Sequence, residues 1–119
     1  MSIRKLYDNL GENYDAVLKR FGSDETVKRF ALKFVADPSF SVLSDGLEKG
    51  DVAAAFRGAH TLKGVAATLG FGALGNVAAR LTETLRGGEI TAESEPLYLD
   101  TQKEYDRVIA ALKEFGEND

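Results

Sequence analysis

At 119 residues, with 44% hydrophobic and 29% charged side chains, the chain has the size and composition of one globular domain. Fifteen Lys and Arg against nineteen Asp and Glu leave a formal charge of −4, and the basic residues lie scattered among acids, as in Lys28-Arg29 and Lys103-Glu104. A phosphate backbone demands clustered cations, so no nucleic acid is expected as a partner. The chain has no cysteine, which excludes disulfides, thiolate nucleophiles and thiolate metal sites and fits a reducing, cytoplasmic setting. Residues Met1 to Asp8 lack the apolar run of a signal peptide, and no apolar stretch approaches the ~18 residues of a membrane helix, so no membrane association is expected.

Apolar residues recur at helical spacing along the chain. Ile3, Leu6, Tyr7 and Leu10 make one short stripe, and Tyr14, Val17, Leu18 and Phe21 a second. Val27, Phe30, Ala31, Phe34 and Val35 follow, behind Ser23 or Asp24 as an N-cap. Pro38 interrupts this segment, giving either one kinked helix or two, and Phe40, Leu43 and Leu47 carry the stripe on to Gly50. Asp51 caps the next helix, whose core positions are Val52, Ala55, Phe56, Ala59, Leu62, Ala66 and Leu69, with Gly70 and Gly72 at its end. Leu74, Val77, Ala78, Leu81 and Leu85 form a further stripe closed by Gly87-Gly88. The last helix starts near Ser94-Glu95-Pro96 and buries Tyr98, Tyr105, Val108, Ile109, Leu112 and Phe115.

No alternating β-branched run competes, so the expected fold is all-α. The long segments, about 24–49, 51–70, 73–87 and 95–116, have short connections, which favour an antiparallel up-down four-helix bundle. The stripes of about 3–21 become short accessory helices, and residues 1–119 a single domain.

The only histidine, His60, falls in the middle of the 51–70 segment. At ~100° per residue the core stripe centres roughly 110° away, so the ring tip reaches solvent at the border of the buried face. Phe56 and Gly64 lie one turn either side, as do Arg57 and Lys63, and Ala53 and Ala67 extend the same face. Lys63 puts a positive charge where an anion on the ring would sit. Gly64 costs ~1 kcal/mol against Ala in mid-helix, and stability alone gives no reason for it. The small residues at 53, 64 and 67 leave the ring above a low surface that another protein can approach. Together these features point to a bulky partner that presents a phosphoryl group to His60.

Ala59-His60-Thr61-Leu62-Lys63-Gly64, followed by Ala66 and by Leu69-Gly70, closely resembles the signature of the histidine-phosphotransfer (HPt) domain family. The resemblance extends over Phe34 to Asp51, with its Asp37-Pro38 and Gly50-Asp51, covers roughly residues 24 to 88, and reaches the last helix only in pattern. It implies a phosphoryl carrier of two-component phosphorelays without ATP-dependent kinase activity of its own. Its partners would be response-regulator receiver domains, a hybrid histidine kinase, or both, and the protein a monomer. By the same resemblance His60 is the phosphorylated nucleophile, Lys63 stabilises phosphoryl charge, and Gly64 gives the receiver clearance. No cofactor or metal is expected, because magnesium and most transfer machinery belong to the receiver. Many members place a Gln or Glu on the following helix to hydrogen-bond the second ring nitrogen. That position here is Thr82, whose hydroxyl is shorter, with Glu83, Arg80 or a bridging water as candidates to compensate. Ala53, Phe56, Arg57 and Ala67 are candidate docking residues, Phe56 with a competing role in the core.

Three readings of other classes compete. A metal or cofactor bundle needs several inward carboxylates and histidines, which one histidine cannot supply. An adaptor that docks on a kinase or receiver without accepting phosphate would keep the bundle but could lose His60. A phosphoacceptor fragment of a chemotaxis-type kinase would share the motif, and no ATP-binding region lies within these residues.

Overall fold

The computed structural model describes residues 1–117 and contains seven α-helices, with no strand among the described residues. The helices are α1 (Ile3–Leu10), α2 (Tyr14–Phe21), α3 (Asp24–Lys33), α4 (Ser39–Lys49), α5 (Val52–Leu69), α6 (Gly72–Leu85) and α7 (Ser94–Glu117). Side chains set several of their boundaries. Ser2, Asn13, Ser23 and Asp51 each accept a hydrogen bond from the backbone N–H three residues on, at the starts of α1, α2, α3 and α5. Gly70 ends α5 in the left-handed region at φ 79°.

The segment expected over about 24–49 is two helices. A 3-10 turn, Phe34–Ala36, closes α3, and Asp37 is extended at ψ 128°, as the residue before proline prefers. The Asp37 carboxylate then accepts hydrogen bonds from Ser39 N at 2.9 Å and Ser39 Oγ at 2.5 Å, restarting the chain as α4. Helix α3 therefore does not run on beside α5. It packs with α1, α2 and α7 as well as with α5.

Helices α4, α5, α6 and α7 pack in sequence, each against the next. Side chains link α4 to α7: Phe40 stacks on Tyr105 at 4.1 Å and on Tyr98 at 5.8 Å, while Ser44 and Tyr98 share a hydrogen bond of 2.7 Å. These helices contribute Leu43, Ala55, Ala59, Leu62, Ala66, Leu74, Ala78, Leu81, Leu85, Val108, Leu112 and Phe115 to the buried core. Phe71, in the link that the glycines suggest is only a terminator, is fully buried and stacks on Tyr7. Gly72 opens α6 rather than ending α5, and Glu12 accepts from Ala73 N at 3.0 Å to cap it.

Candidate functional site

Helix α5 places the site. Ala55, Gly58, Ala59, Leu62, Ala66 and Leu69 bury its inner stripe, and His60 stands on the outer side, exposed. Ala53, Arg57, Gly64 and Ala67 are exposed along the same outer face, and Lys63 is half-buried at its border. A Cβ built on Gly64 would have nothing within 4 Å. Phe56 is half-buried against the core, and its ring lies 5.9 Å from the His60 ring with only 11° between the planes. Among the described residues, neither imidazole nitrogen has a hydrogen-bond partner. The result is an exposed nucleophilic ring with a cation one turn away and open space beside it.

The three candidates for supporting the ring are placed differently. Thr82 is fully buried, and its hydroxyl donates to Ala78 O at 2.7 Å on its own helix. Its shorter hydroxyl makes no hydrogen bond to the His60 ring. Arg80 is exposed, and its side chain makes no hydrogen bond to the ring. Glu83 accepts from Arg86 Nε at 3.0 Å and from a terminal Arg86 nitrogen at 2.9 Å. Those bonds hold the Glu83 carboxyl below the usual carboxylate range, and the charges of Lys63 and His60 act in the same direction. The Glu83 oxygens are thus engaged by Arg86 and make no bond to the His60 ring. That arginine, which sequence reasoning passes over, also lays its guanidinium Cζ 5.2 Å from the Phe56 ring centre.

A groove of about 620 Å³ opens on the α3 side of His60. His60, Thr61, Gly64 and Val65 form one wall, with Phe21, Phe30 and Lys33 facing them. Phe30 stacks on Phe21 at 5.5 Å yet remains 38% exposed. Phe30, expected in the apolar stripe with Val27, Ala31 and Phe34, is therefore not a core residue. The signal lies in the α3 period, which buries Val27, Ala31 and Phe34 and turns Phe30 to the edge of that stripe. Arg29 and Lys33 flank the exposed ring, each 5.3 Å from its centre. Lys33 and Asp37 also line the groove, the Asp37 carboxylate accepting from Ser39, so the wall is mainly apolar with one charge of each sign. No group of three or more His, Asp or Glu able to hold a metal occurs among the described residues.

Residues 36–114 match the Hpt domain family, and the chain belongs to that family. Its members carry phosphoryl groups on a histidine in two-component phosphorelays and are phosphocarriers rather than kinases. The match begins just before α4 and runs almost to the end of α7, leaving α1, α2 and α3 outside it. No significant match is found among curated proteins or among solved structures. No helix among the described residues is long and apolar enough to cross a membrane.

Proposed function

We propose that this chain is a histidine phosphotransfer protein that relays phosphoryl between a receiver-domain aspartate, or a hybrid histidine kinase, and His60. One observation carries the reading: the only histidine stands exposed on α5 with both nitrogens unpartnered and open space at Gly64. A structural histidine would be bonded into its surroundings, and a mid-helix glycine beside it would be filled or packed.

In the step proposed, the Nε2 lone pair attacks phosphorus in line with the acyl-phosphate bond. The N–P bond forms as that P–O bond breaks, and the electron pair leaves with the aspartate carboxylate. Nδ1 keeps its proton, so the phosphorylated ring is cationic until that proton is released. Lys63 offsets the charge on the phosphoryl oxygens as a point cation. Gly64 and the small residues Ala53 and Ala67 let the partner's backbone approach, with Arg57 and the groove beside α3 as further docking surface, while Phe56 sits against the core and the His60 ring.

In this reading residues 1–119 are one domain, with α4 to α7 as an antiparallel up-down four-helix bundle and α1 to α3 as accessory helices. It acts as a cytoplasmic monomer with no kinase activity of its own. His60→Gln tests the reading directly. The folded variant should accept no phosphoryl from acetyl-phosphate-charged receivers, and the wild-type label should be acid-labile and stable in base. Unchanged labelling of a folded His60→Gln protein would refute phosphotransfer and favour a docking adaptor.

A further inference from the structure

An imidazole on an exposed helical position, with neither nitrogen bonded, ordinarily samples several rotamers. The ring contact the structure gives His60 is Phe56, one turn earlier, at 5.9 Å and 11°. Phe56 is itself restrained, half-buried against the core and covered by the Arg86 guanidinium at 5.2 Å. Two hydrogen bonds to Glu83, of 3.0 and 2.9 Å, fix the plane of that guanidinium at the end of α6. A chain of contacts thus runs from Glu83 through Arg86 and Phe56 to the imidazole, joining α6 to α5. Filling the edge of the core would need only an aliphatic side chain of similar volume. The near-parallel rings and the seated cation are additional to that need.

We propose that Phe56, braced by Arg86, is a positioning residue that fixes the plane of the His60 imidazole for phosphoryl transfer. The inference rests on the phosphotransfer reading. The Nε2 lone pair lies in the ring plane, so the plane determines where it can aim, and in-line attack tolerates little misdirection. A hydrogen bond to the second nitrogen would hold the plane, but neither ring nitrogen has a partner among the described residues, and the Thr82 hydroxyl, buried on α6, makes no bond to the ring. Stacking restrains the same rotation from the face of the ring and leaves both ring nitrogens accessible.

The test uses the full chain with Phe56→Leu, Phe56→Tyr and Arg86→Gln. Three quantities are read: the carbon-bound proton resonances of the His60 ring, the rate of phosphorylation by phosphoramidate, and transfer from a phosphorylated receiver at several concentrations. Phosphoramidate is a small donor that needs no docking surface. Phe56→Leu should remove the ring-current shift from His60 and slow both donors by about fivefold, leaving the half-saturating receiver concentration unchanged. Phe56→Tyr should restore the shift and the rates, and Arg86→Gln should give a smaller loss in the same direction. Unmoved His60 resonances in Phe56→Leu would overturn the proposal. So would a defect seen only as a higher half-saturating concentration with phosphoramidate unaffected, which would make Phe56 a docking contact. A loss that merely follows the melting temperature, with no rescue by Tyr, would also overturn it. A wild-type chain labelled by neither donor would instead end the phosphotransfer reading, and this proposal with it.

Discussion

Helix α5 carries two interior glycines, Gly58 and Gly64, and its two faces use them in opposite ways. A Cβ on Gly58 would lie 2.4 Å from the Leu43 nitrogen, 2.8 Å from Leu43 Cα and 2.9 Å from Ser39 O. Gly46 answers it from α4, where a Cβ would lie 2.5 Å from Ala55 N. The two helices therefore meet backbone to backbone, and each glycine removes the side chain that would separate them. Gly64, separated from Gly58 by about 120° around the helix axis, faces nothing within 4 Å. Both residues carry the same backbone-entropy penalty. On the inner face close packing offsets it, whereas on the outer face no contact within the molecule does. The outer penalty calls for an explanation outside the isolated chain.

The contrast is broken most severely on the inner face. Gly58→Ala gains helix propensity but drives a methyl into the backbone of α4, which cannot rotate away as a side chain would. Overpacking of this kind should outweigh the propensity gain and destabilise the protein by about 2–3 kcal/mol, read by chemical denaturation. A variant as stable as wild type would show that α4 slides freely on α5. On the outer face, Gly64→Gln should leave the melting temperature close to that of wild type. Transfer should then need a roughly tenfold higher receiver concentration for half-maximal rate, because the new side chain stands beside His60. If docking falls only as stability falls, Gly64 serves internal packing.

Lys63 sharpens the comparison on its chemical side. It is half-buried at the border between the two faces, one turn from His60. Lys63→Ala should slow transfer by up to about tenfold at saturating receiver, equivalent to ~1 kcal/mol, while half-saturation changes little. That split is expected if the ammonium meets the phosphoryl group chiefly in flight. Normal transfer by the variant would make Lys63 an ordinary surface lysine.

Periodicity made the helical class and α5 legible, because Ala55, Ala59, Leu62, Ala66 and Leu69 repeat at helical spacing and leave His60 outside. Asp51 and Gly70 bounded that helix as cap signals should. What stayed hidden depends on contacts between residues far apart in the chain. Phe30 reads as core until Phe21 and α5 are placed around it, which leaves it on the rim of the groove. Arg86 is one charge among many until α6 lays it on Phe56. Thr82 could be weighed by side-chain length, but its bond to Ala78 O follows from its burial on α6. Gly46 gave no sign of its role, since its partner is the backbone of Ala55. Pro38 left one helix or two open, and the Asp37 cap on Ser39 decided for two.

The smallest expected effect isolates the outer face most cleanly. Gly64 has no left-handed backbone angle that an alanine would strain, since the positive-φ glycines are Gly11, Gly22, Gly50, Gly70 and Gly88. With nothing within 4 Å of the new methyl, Gly64→Ala neither clashes nor gains a packing contact. Helix propensity is then the remaining term, and it favours alanine by up to ~1 kcal/mol. For a domain of this size that raises the melting temperature by about 3–6 °C. A methyl is too short to reach across to the His60 ring, so phosphorylation by phosphoramidate should stay at the wild-type rate. Gly58→Ala carries the same chemical change in the same helix and should move the melting temperature the opposite way. If both variants melt lower, the outer face is packed against something within the chain and the clearance argument fails. If Gly64→Ala melts higher and docks normally while Gly64→Gln docks weakly, the space beside His60 is used by a partner at a distance longer than one methyl group.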